Sequence, residues 1–123
     1  MADLSDRRKE SRKKVMAFTP VYDLKKGKVL GYLRDLTMKG AQVNGEKKQE
    51  VNTQITLSIK LPDDLPEVTS KKLNIKARVK RCIAVPENPN NYEIGFEFSD
   101  SQPEQKEIIE KLLERYHLRH KIY

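Results

Sequence analysis

Apolar and polar residues alternate with a period of two along much of the chain, as they do in strands that bury one face. Between residues 53 and 61 every second position is apolar, and the same alternation runs from 73 to 80 and from 92 to 98. The pattern predicts three half-buried strands. Their apolar positions are Ile55, Leu57, Ile59 and Leu61, then Leu73, Ile75, Ala77 and Val79, then Tyr92, Ile94, Phe96 and Phe98.

Three further strands are predicted in the first part of the chain. Residues 15–23 and 29–33 are rich in β-forming residues and flank a turn at 25–28, so they predict a hairpin. Because Pro20 has no backbone N–H to donate, we expect the first strand to lie at an edge or to carry a bulge there. A short strand at 41–44 ends in an Asn-Gly turn.

Proline-containing loops at 62–66 and 86–91 separate the later strands. The alternation blurs at residues 81–83, where we expect a bulge or the rim of a sheet. The pattern thus predicts six or so short antiparallel strands, which form an all-β barrel or a strongly curled sheet.

The sequence predicts one helix, at residues 103–118. Ser101 and Glu104 have the spacing of a capping box, and Pro103 falls in the first turn. Since lone amphipathic helices are marginal in water, we expect its apolar stripe to pack against the sheet. That stripe consists of Ile108, Ile109, Leu112, Leu113 and Tyr116.

With 123 residues the chain is long enough for one domain with a modest core. We divide it into a flexible basic N-terminal arm at residues 1–14, the barrel at 15–99 and the helix, packed on the barrel, at 100–123. No apolar stretch is long enough to cross a bilayer, and the N-terminus lacks the apolar core of a secretion signal. We therefore expect a cytoplasmic protein without membrane insertion.

The chain is basic, with 25 Lys and Arg residues against 18 Asp and Glu residues and a net charge of +7. Six basic residues and one acid lie between positions 7 and 14. Such a balance favours anionic partners, namely a nucleotide, a nucleic acid or a membrane surface. The single cysteine, Cys82, excludes an internal disulfide framework and a cysteine-rich zinc site.

Two arginines of the basic segment, Arg8 and Arg12, lie four residues apart. The planar guanidinium fork matches phosphate oxygens, or O6 and N7 of guanine, two at a time, which lysine does not. Its flat face also stacks on a purine. Two arginines in one arm therefore indicate a clamp for a nucleotide.

A polar turn follows the second predicted strand. Asp35 offers a carboxylate acceptor for the N1 and N2 hydrogens of guanine, and Thr37 adds a hydroxyl. Gly40 permits a close backbone approach or a positive φ angle. The alternative is an ordinary tight connection, in which Asp35 and Thr37 hydrogen-bond only to their own backbone.

These motifs together resemble those of the PilZ domain. An Arg-x-x-x-Arg motif precedes the first strand, and an Asp-x-Thr-x-x-Gly motif follows the second, where the family has Asp or Asn, then Ser, then Gly. The closing strand, with Gly95 and Phe98, is similar to the family's Gly-x-x-Phe ending. The resemblance runs from Arg7 to Phe98 and implies a stand-alone six-stranded antiparallel β-barrel with a C-terminal helix. It also implies a bacterial receptor for the second messenger cyclic di-GMP, whose arm folds over the ligand.

The resemblance assigns roles to individual residues. Arg8 and Arg12 would grip guanine and phosphate, Asp35 and Thr37 would contact a guanine or its phosphate, and Gly40 would give the backbone clearance. The chain departs from the family at Thr37, which keeps the usual serine hydroxyl but adds a methyl group.

Two further arginines enter through the same resemblance. Arg7 matches the doubled arginine common in the family and would help to hold a second, stacked ligand molecule. Arg81 falls where family members often contact the base, although a solvated charge at the end of a strand explains it equally well.

The predicted ligand is cyclic di-GMP, with no cofactor, no metal and an unidentified downstream protein as partner. The chain has no Gly-rich phosphate loop, no nucleophile elbow and no arrangement of Ser, His and Asp for catalysis, so we do not expect an enzyme.

Two alternatives remain open: a basic barrel that binds single-stranded nucleic acid, and a PilZ-like protein-interaction module without ligand. Against the first, Tyr92, Phe96 and Phe98 share one strand face, which is typical of a core rather than of a stacking platform. We therefore do not expect nucleic acid as a partner.

Overall fold

A computed structural model describes residues 14–15, 19–63, 65 and 70–117 of the chain. Strands β2 to β7 form a closed barrel in the order β2-β3-β4-β7-β6-β5, and every neighbouring pair is antiparallel. The elements are β1 (Lys14–Val15), β2 (Pro20–Asp23), β3 (Lys28–Leu36), β4 (Gly40–Gly45), β5 (Gln54–Lys60), β6 (Lys72–Val85), β7 (Asn88–Phe98), α1 (Pro103–Arg115) and β8 (Tyr116–His117). The predicted six-stranded antiparallel barrel with one C-terminal helix is confirmed.

The barrel interior is filled by the alternating apolar positions that the sequence pattern predicts. Leu57 and Ile59 of β5 are fully buried, as is Ile94 of β7. Phe96 is 4% exposed, while Tyr92 and Phe98 are partly buried and pack against the same core. The aromatic face of β7 is therefore core, as expected. Burial of these apolar side chains supplies the main driving force for closing the sheet.

The first barrel strand differs from the prediction. The expected strand at 15–23 is represented by β2, which begins at Pro20, and by the separate two-residue β1. Because the barrel is closed, β2 pairs with β3 and β5 and is not an edge strand. Proline is tolerated at the first position of a strand, and the ladder to β3 shifts just beyond it, between Val21 and Tyr22.

Helix α1 begins as predicted but its cap is shifted by one residue. The N-cap is Gln102, whose backbone N–H donates to the side-chain Oε1 of Gln105 at 2.7 Å. The expected pair Ser101 and Glu104 does not form the box. With Gln102 as the cap, Pro103 occupies the first helical position, where its missing N–H costs no hydrogen bond.

The helix ends at Arg115, three residues earlier than predicted. The backbone N–H of Tyr116 still donates to the carbonyl of Leu112, but Tyr116 is extended and belongs to β8, which pairs in parallel with β1. Ile109 and Leu112 are fully buried, so the apolar stripe is part of the core. No helix in the part of the chain that the structure describes is long and apolar enough to span a membrane.

Candidate ligand-binding site

Four neighbouring strands bring one residue each into a row across the outer face of the barrel. Asp35 on β3 lies opposite Gln42 on β4, which lies opposite Gly95 on β7. Gly95 in turn lies opposite Arg81 on β6. Adjacent strands are about 4.8 Å apart, so the row is roughly 14 Å long. Residues far apart in the sequence thus form one continuous surface.

A bulge lies at each end of this row. In β3 the register shifts between Leu33 and Asp35, which leaves Arg34 as the extra residue. In β6 it shifts between Val79 and Arg81, which leaves Lys80 as the extra residue. Such bulges redirect side chains and are common beside binding sites. The irregularity predicted at residues 81–83 therefore begins one residue earlier, at Lys80.

The row and the turn between β3 and β4 line a pocket of about 300 Å³. The lining carries a formal charge of +1. It includes three basic side chains, Lys39, Lys80 and Arg81, and two acidic ones, Asp35 and Glu97. Gly95 contributes no side chain, so the lining is bare backbone between Gln42 and Arg81. The pocket is shallow, and the positive formal charge of its lining favours an anionic ligand.

The polar turn is held by its own hydrogen bonds. The Oγ1 atom of Thr37 accepts from the N–H groups of Lys39 and Gly40, both at 3.2 Å, and the N–H of Thr37 donates to the carbonyl of Gly40 at 2.9 Å. The Oδ1 atom of Asp35 accepts from the N–H of Leu36 at 2.9 Å. The bonding expected of an ordinary tight connection is therefore present. It also fixes the Thr37 hydroxyl, which is exposed, at the pocket.

Of the two reasons expected for a glycine at position 40, the structure shows a close backbone approach, here between two strands. Gly40 is not among the residues with a positive φ angle. A Cβ atom at this position would overlap the carbonyl oxygen of Phe96 on β7, so glycine permits the close approach of β4 and β7. The absence of a side chain at Gly40 therefore allows β4 and β7 to pair next to the pocket.

Glu97 modulates the charge of the pocket. Its Oε1 atom accepts a hydrogen bond from Nη2 of Arg78 at 2.9 Å and lies 3.9 Å from Nζ of Lys80. All three side chains are about half exposed, so solvent screens the pair and its contribution to stability is small. Its effect is to lower the positive potential next to Arg81.

The structure brings together four of the seven predicted site residues, since Asp35, Thr37, Gly40 and Arg81 all line the pocket. Arg7, Arg8 and Arg12 lie outside the described residues, and their roles stay predictions. Within the described ranges no cluster of three His, Cys, Asp or Glu side chains could hold a metal ion.

Seven of the eleven residues that line the pocket were not predicted as site residues: Lys39, Ala41, Gln42, Lys80, Gly95, Phe96 and Glu97. Gln42 had a signal, because it lies between the buried Ala41 and Val43 and so points to the outer face. Lys80 had the same signal, because it follows the buried Val79 in the alternation of β6, but the bulge at Lys80 lies one residue before the predicted irregularity. Gly95 was noted for its place in the closing strand and not for the space that it leaves.

The comparisons with known proteins agree with this architecture. The family model for the PilZ domain matches residues 6–115. The fold is similar to that of the PilZ domain with c-di-GMP of YcgR from Escherichia coli, with a TM-score of 0.56 and 11% identity over 81% of this chain and 83% of that one. No curated protein matches by sequence.

A second solved structure with the same fold is MrkH from K. pneumonia in its apo state. The TM-score is 0.60 and the identity 17%, over 82% of this chain. The aligned region spans 46% of the MrkH chain, so this protein corresponds to less than half of that one. Because the family model covers both the motif-bearing segments and the barrel, we conclude that the chain belongs to the PilZ domain family.

Proposed function

We propose that the protein is a receptor for cyclic di-GMP, which binds in the pocket on the outer face of the barrel, and that it is not an enzyme. Membership of the PilZ family supports this assignment. So does the structural similarity to the E. coli YcgR domain, whose structure contains c-di-GMP.

The observation that carries the proposal is the row from Asp35 to Arg81 with Gly95 inside it. Arg81 can donate two hydrogen bonds at once to phosphate oxygens or to O6 and N7 of a guanine. Asp35 and Thr37, at the other end, offer acceptors for the N1 and N2 hydrogens of a base. The open backbone at Gly95 leaves space for a planar group between them.

The basic segment at residues 7–14 completes the site. Arg8 and Arg12 close over the ligand and add charge-assisted hydrogen bonds, and Arg7 helps to hold a second, stacked ligand molecule. The segment runs directly into β1, whose partner β8 follows the last residue of α1. Ordering the segment therefore changes the surface beside the end of α1, which an unidentified downstream protein reads as the signal.

Calorimetry with the full chain and cyclic di-GMP, with GTP as the control ligand, tests this proposal. Arg8→Ala, Arg12→Ala and Arg81→Ala should each weaken binding by roughly tenfold to a hundredfold, because each removes charge-assisted hydrogen bonds. Lys72→Ala is the matched control, since Lys72 is exposed on β6, faces Lys60 and lies outside the pocket. It should bind as the parent does.

Other outcomes identify the alternatives. Equal binding by the parent and all three arginine variants would show that the site is placed wrongly. A complete lack of binding would favour the protein-interaction module. Nucleic-acid binding would reveal itself by a steep loss of affinity with salt that no single arginine controls.

A further inference from the structure

The strand pair β3–β4 carries a second pocket near its opposite end, with a volume of about 510 Å³. Its lining includes Gly31, Tyr32, Asn44, Gly45, Glu46 and Lys47. None of these residues lines the first pocket or belongs to the predicted site. The volume falls well within the range of small-molecule sites, roughly 300–1,000 Å³, whereas the first pocket is at its lower limit.

Tyr32 provides an exposed aromatic wall. It is 50% exposed and lies opposite Asn44 across the two strands. The backbone of Gly31 and Gly45 also lines the pocket, at a point where β3 and β4 approach closely: a Cβ atom at Gly31 would overlap the Asn44 carbonyl and one at Gly45 would overlap the Leu30 carbonyl. The exposed ring of Tyr32 therefore stands at the edge of a wall that carries few side chains, and aromatic side chains stack on nucleobases.

The exposed polar groups of the pocket match the edge of guanine. Asn44 also lines the pocket, but its Oδ1 atom is buried and offers no contact to a ligand. Glu46, exposed directly after β4, adds a carboxylate, and Lys47 adds a donor. Together they match the N1 and N2 hydrogens and the O6 atom of guanine.

The two pockets lie on the same strand pair, β3 and β4, but share no lining residue. Asn44 lies two residues beyond Gln42 on β4, about 7 Å along the strand and on the same outer face. On β3, the bulge residue Arg34 lies between Tyr32 and Asp35. A ligand with two guanines can therefore approach both pockets.

We propose that this second pocket is a guanine subsite, with Tyr32 stacking on the base and with the Glu46 carboxylate accepting from its N1 and N2 hydrogens. The proposal rests on the proposed function and extends it. The base is either the second guanine of the same cyclic di-GMP molecule or a guanine of a second molecule.

Calorimetry of Tyr32 variants with cyclic di-GMP tests the stacking. Tyr32→Ala should weaken binding roughly fivefold to a hundredfold, the effect expected for the loss of one base–aromatic stack. Tyr32→Phe keeps the ring and should bind as the parent does. Val51→Ala is the control for removing an exposed apolar side chain, because Val51 is 52% exposed and lines neither pocket.

Base selectivity provides a second, independent readout. Glu46→Gln should reduce the preference for cyclic di-GMP over cyclic di-AMP, because adenine lacks the two donors that a carboxylate accepts. The stoichiometry separates the two sources of the base. A one-to-one complex in both the parent and Tyr32→Ala indicates one ligand that spans both pockets. A two-to-one complex that becomes one-to-one in Tyr32→Ala indicates a second ligand molecule.

Several results would overturn the subsite. Unchanged affinity and stoichiometry in Tyr32→Ala and Glu46→Gln, with folding checked by thermal melting, would reject it. So would backbone amide signals of residues 29–32 and 44–47 that do not move when cyclic di-GMP is added. If Arg81→Ala still loses affinity in that case, the proposed function survives and only the subsite fails. If the parent does not bind cyclic di-GMP at all, both proposals fail.

Discussion

Arg81 and Gly95 face each other on β6 and β7, and the arginine side chain passes beside the space that Gly95 leaves empty. A Cβ atom placed on Gly95 would lie 3.7 Å from Cβ and 3.8 Å from Nε of Arg81, which is ordinary van der Waals contact. Gly40 borders the same pocket but has no such space, because a Cβ atom there would overlap the Phe96 carbonyl. Gly95 thus leaves space in the pocket, whereas Gly40 permits the close contact between β4 and β7.

The two glycines should respond differently to alanine. Gly40→Ala should lower the free energy of unfolding by about 1–3 kcal/mol, because β4 and β7 must separate to admit the methyl group. Gly95→Ala should change it by no more than about 0.5 kcal/mol. Urea unfolding of both variants measures this difference. Equal stability of the two would show that β4 and β7 do not approach as closely as described.

A larger side chain at Gly95 should separate binding from folding. Gly95→Leu should fill the space beside Arg81 and weaken cyclic di-GMP binding, while the protein remains folded. Val51→Leu, at an exposed position outside the pocket, is the matched control for added apolar volume. If Gly95→Leu binds as the parent does, the ligand does not lie over the middle of the row.

Thr37 should contribute to both the turn and the ligand. Thr37→Ala removes the acceptor for the N–H groups of Lys39 and Gly40 and should cost about 0.5–1.5 kcal/mol of stability, as well as weakening cyclic di-GMP binding. Thr37→Ser keeps the hydroxyl and should match the parent in unfolding experiments. Calorimetry of the serine variant then isolates the effect of the methyl group. A serine variant as weak as the alanine variant would contradict the role of the hydroxyl.

Glu97 should restrain affinity for an anion. Glu97→Gln raises the formal charge of the pocket lining from +1 to +2 and leaves Arg78 and Lys80 without their acidic partner. Affinity for cyclic di-GMP should rise by up to about fivefold at low salt, because exposed charges contribute at most about 1 kcal/mol, and the gain should vanish in high salt. Glu87→Gln, at the tip between β6 and β7, removes an exposed acid elsewhere and should have no effect.

Helix α1 should be essential for stability through its buried stripe. Leu112 is fully buried, so Leu112→Ala should lower the free energy of unfolding by about 2–5 kcal/mol. Glu110→Ala, on the exposed side of the same helix, should change it by about 0.5 kcal/mol or less. Chemical denaturation gives both values. A mild effect of Leu112→Ala would mean that the helix packs only loosely on the barrel.

Several features followed from the sequence because their causes are local. A period of two in apolar residues identified β5 and residues 73–80 of β6. The apolar stripe, together with Pro103 in the first turn, identified α1. The polar turn from Asp35 to Gly40 was likewise visible from residue types alone. Each of these depends on neighbours within a few positions, so the order of residues determines it directly.

Where the structure departs from a prediction, a distant partner decides the outcome. The strand that contains Pro20 was expected at an edge or with a bulge; the closed barrel gives it two neighbours, and of the two alternatives only the irregularity is present, between Val21 and Tyr22. The last turn of the helix was extended to residue 118, whereas Tyr116 leaves it to pair with β1. In both cases hydrogen bonds to another part of the chain override a local preference.

The amino-acid sequence by itself determined the strand-rich fold class, the C-terminal helix and the polar turn from Asp35 to Gly40 that lines the pocket. Only the tertiary structure decided that Asp35, Gln42, Gly95 and Arg81 share one row, that Gly40 serves strand contact, and that Tyr32 and Asn44 line a second pocket. The reason is that register and bulges depend on how side chains of different strands pack in the closed barrel. A shift of one residue moves every side chain of a strand to the opposite face, and no local pattern sets that shift.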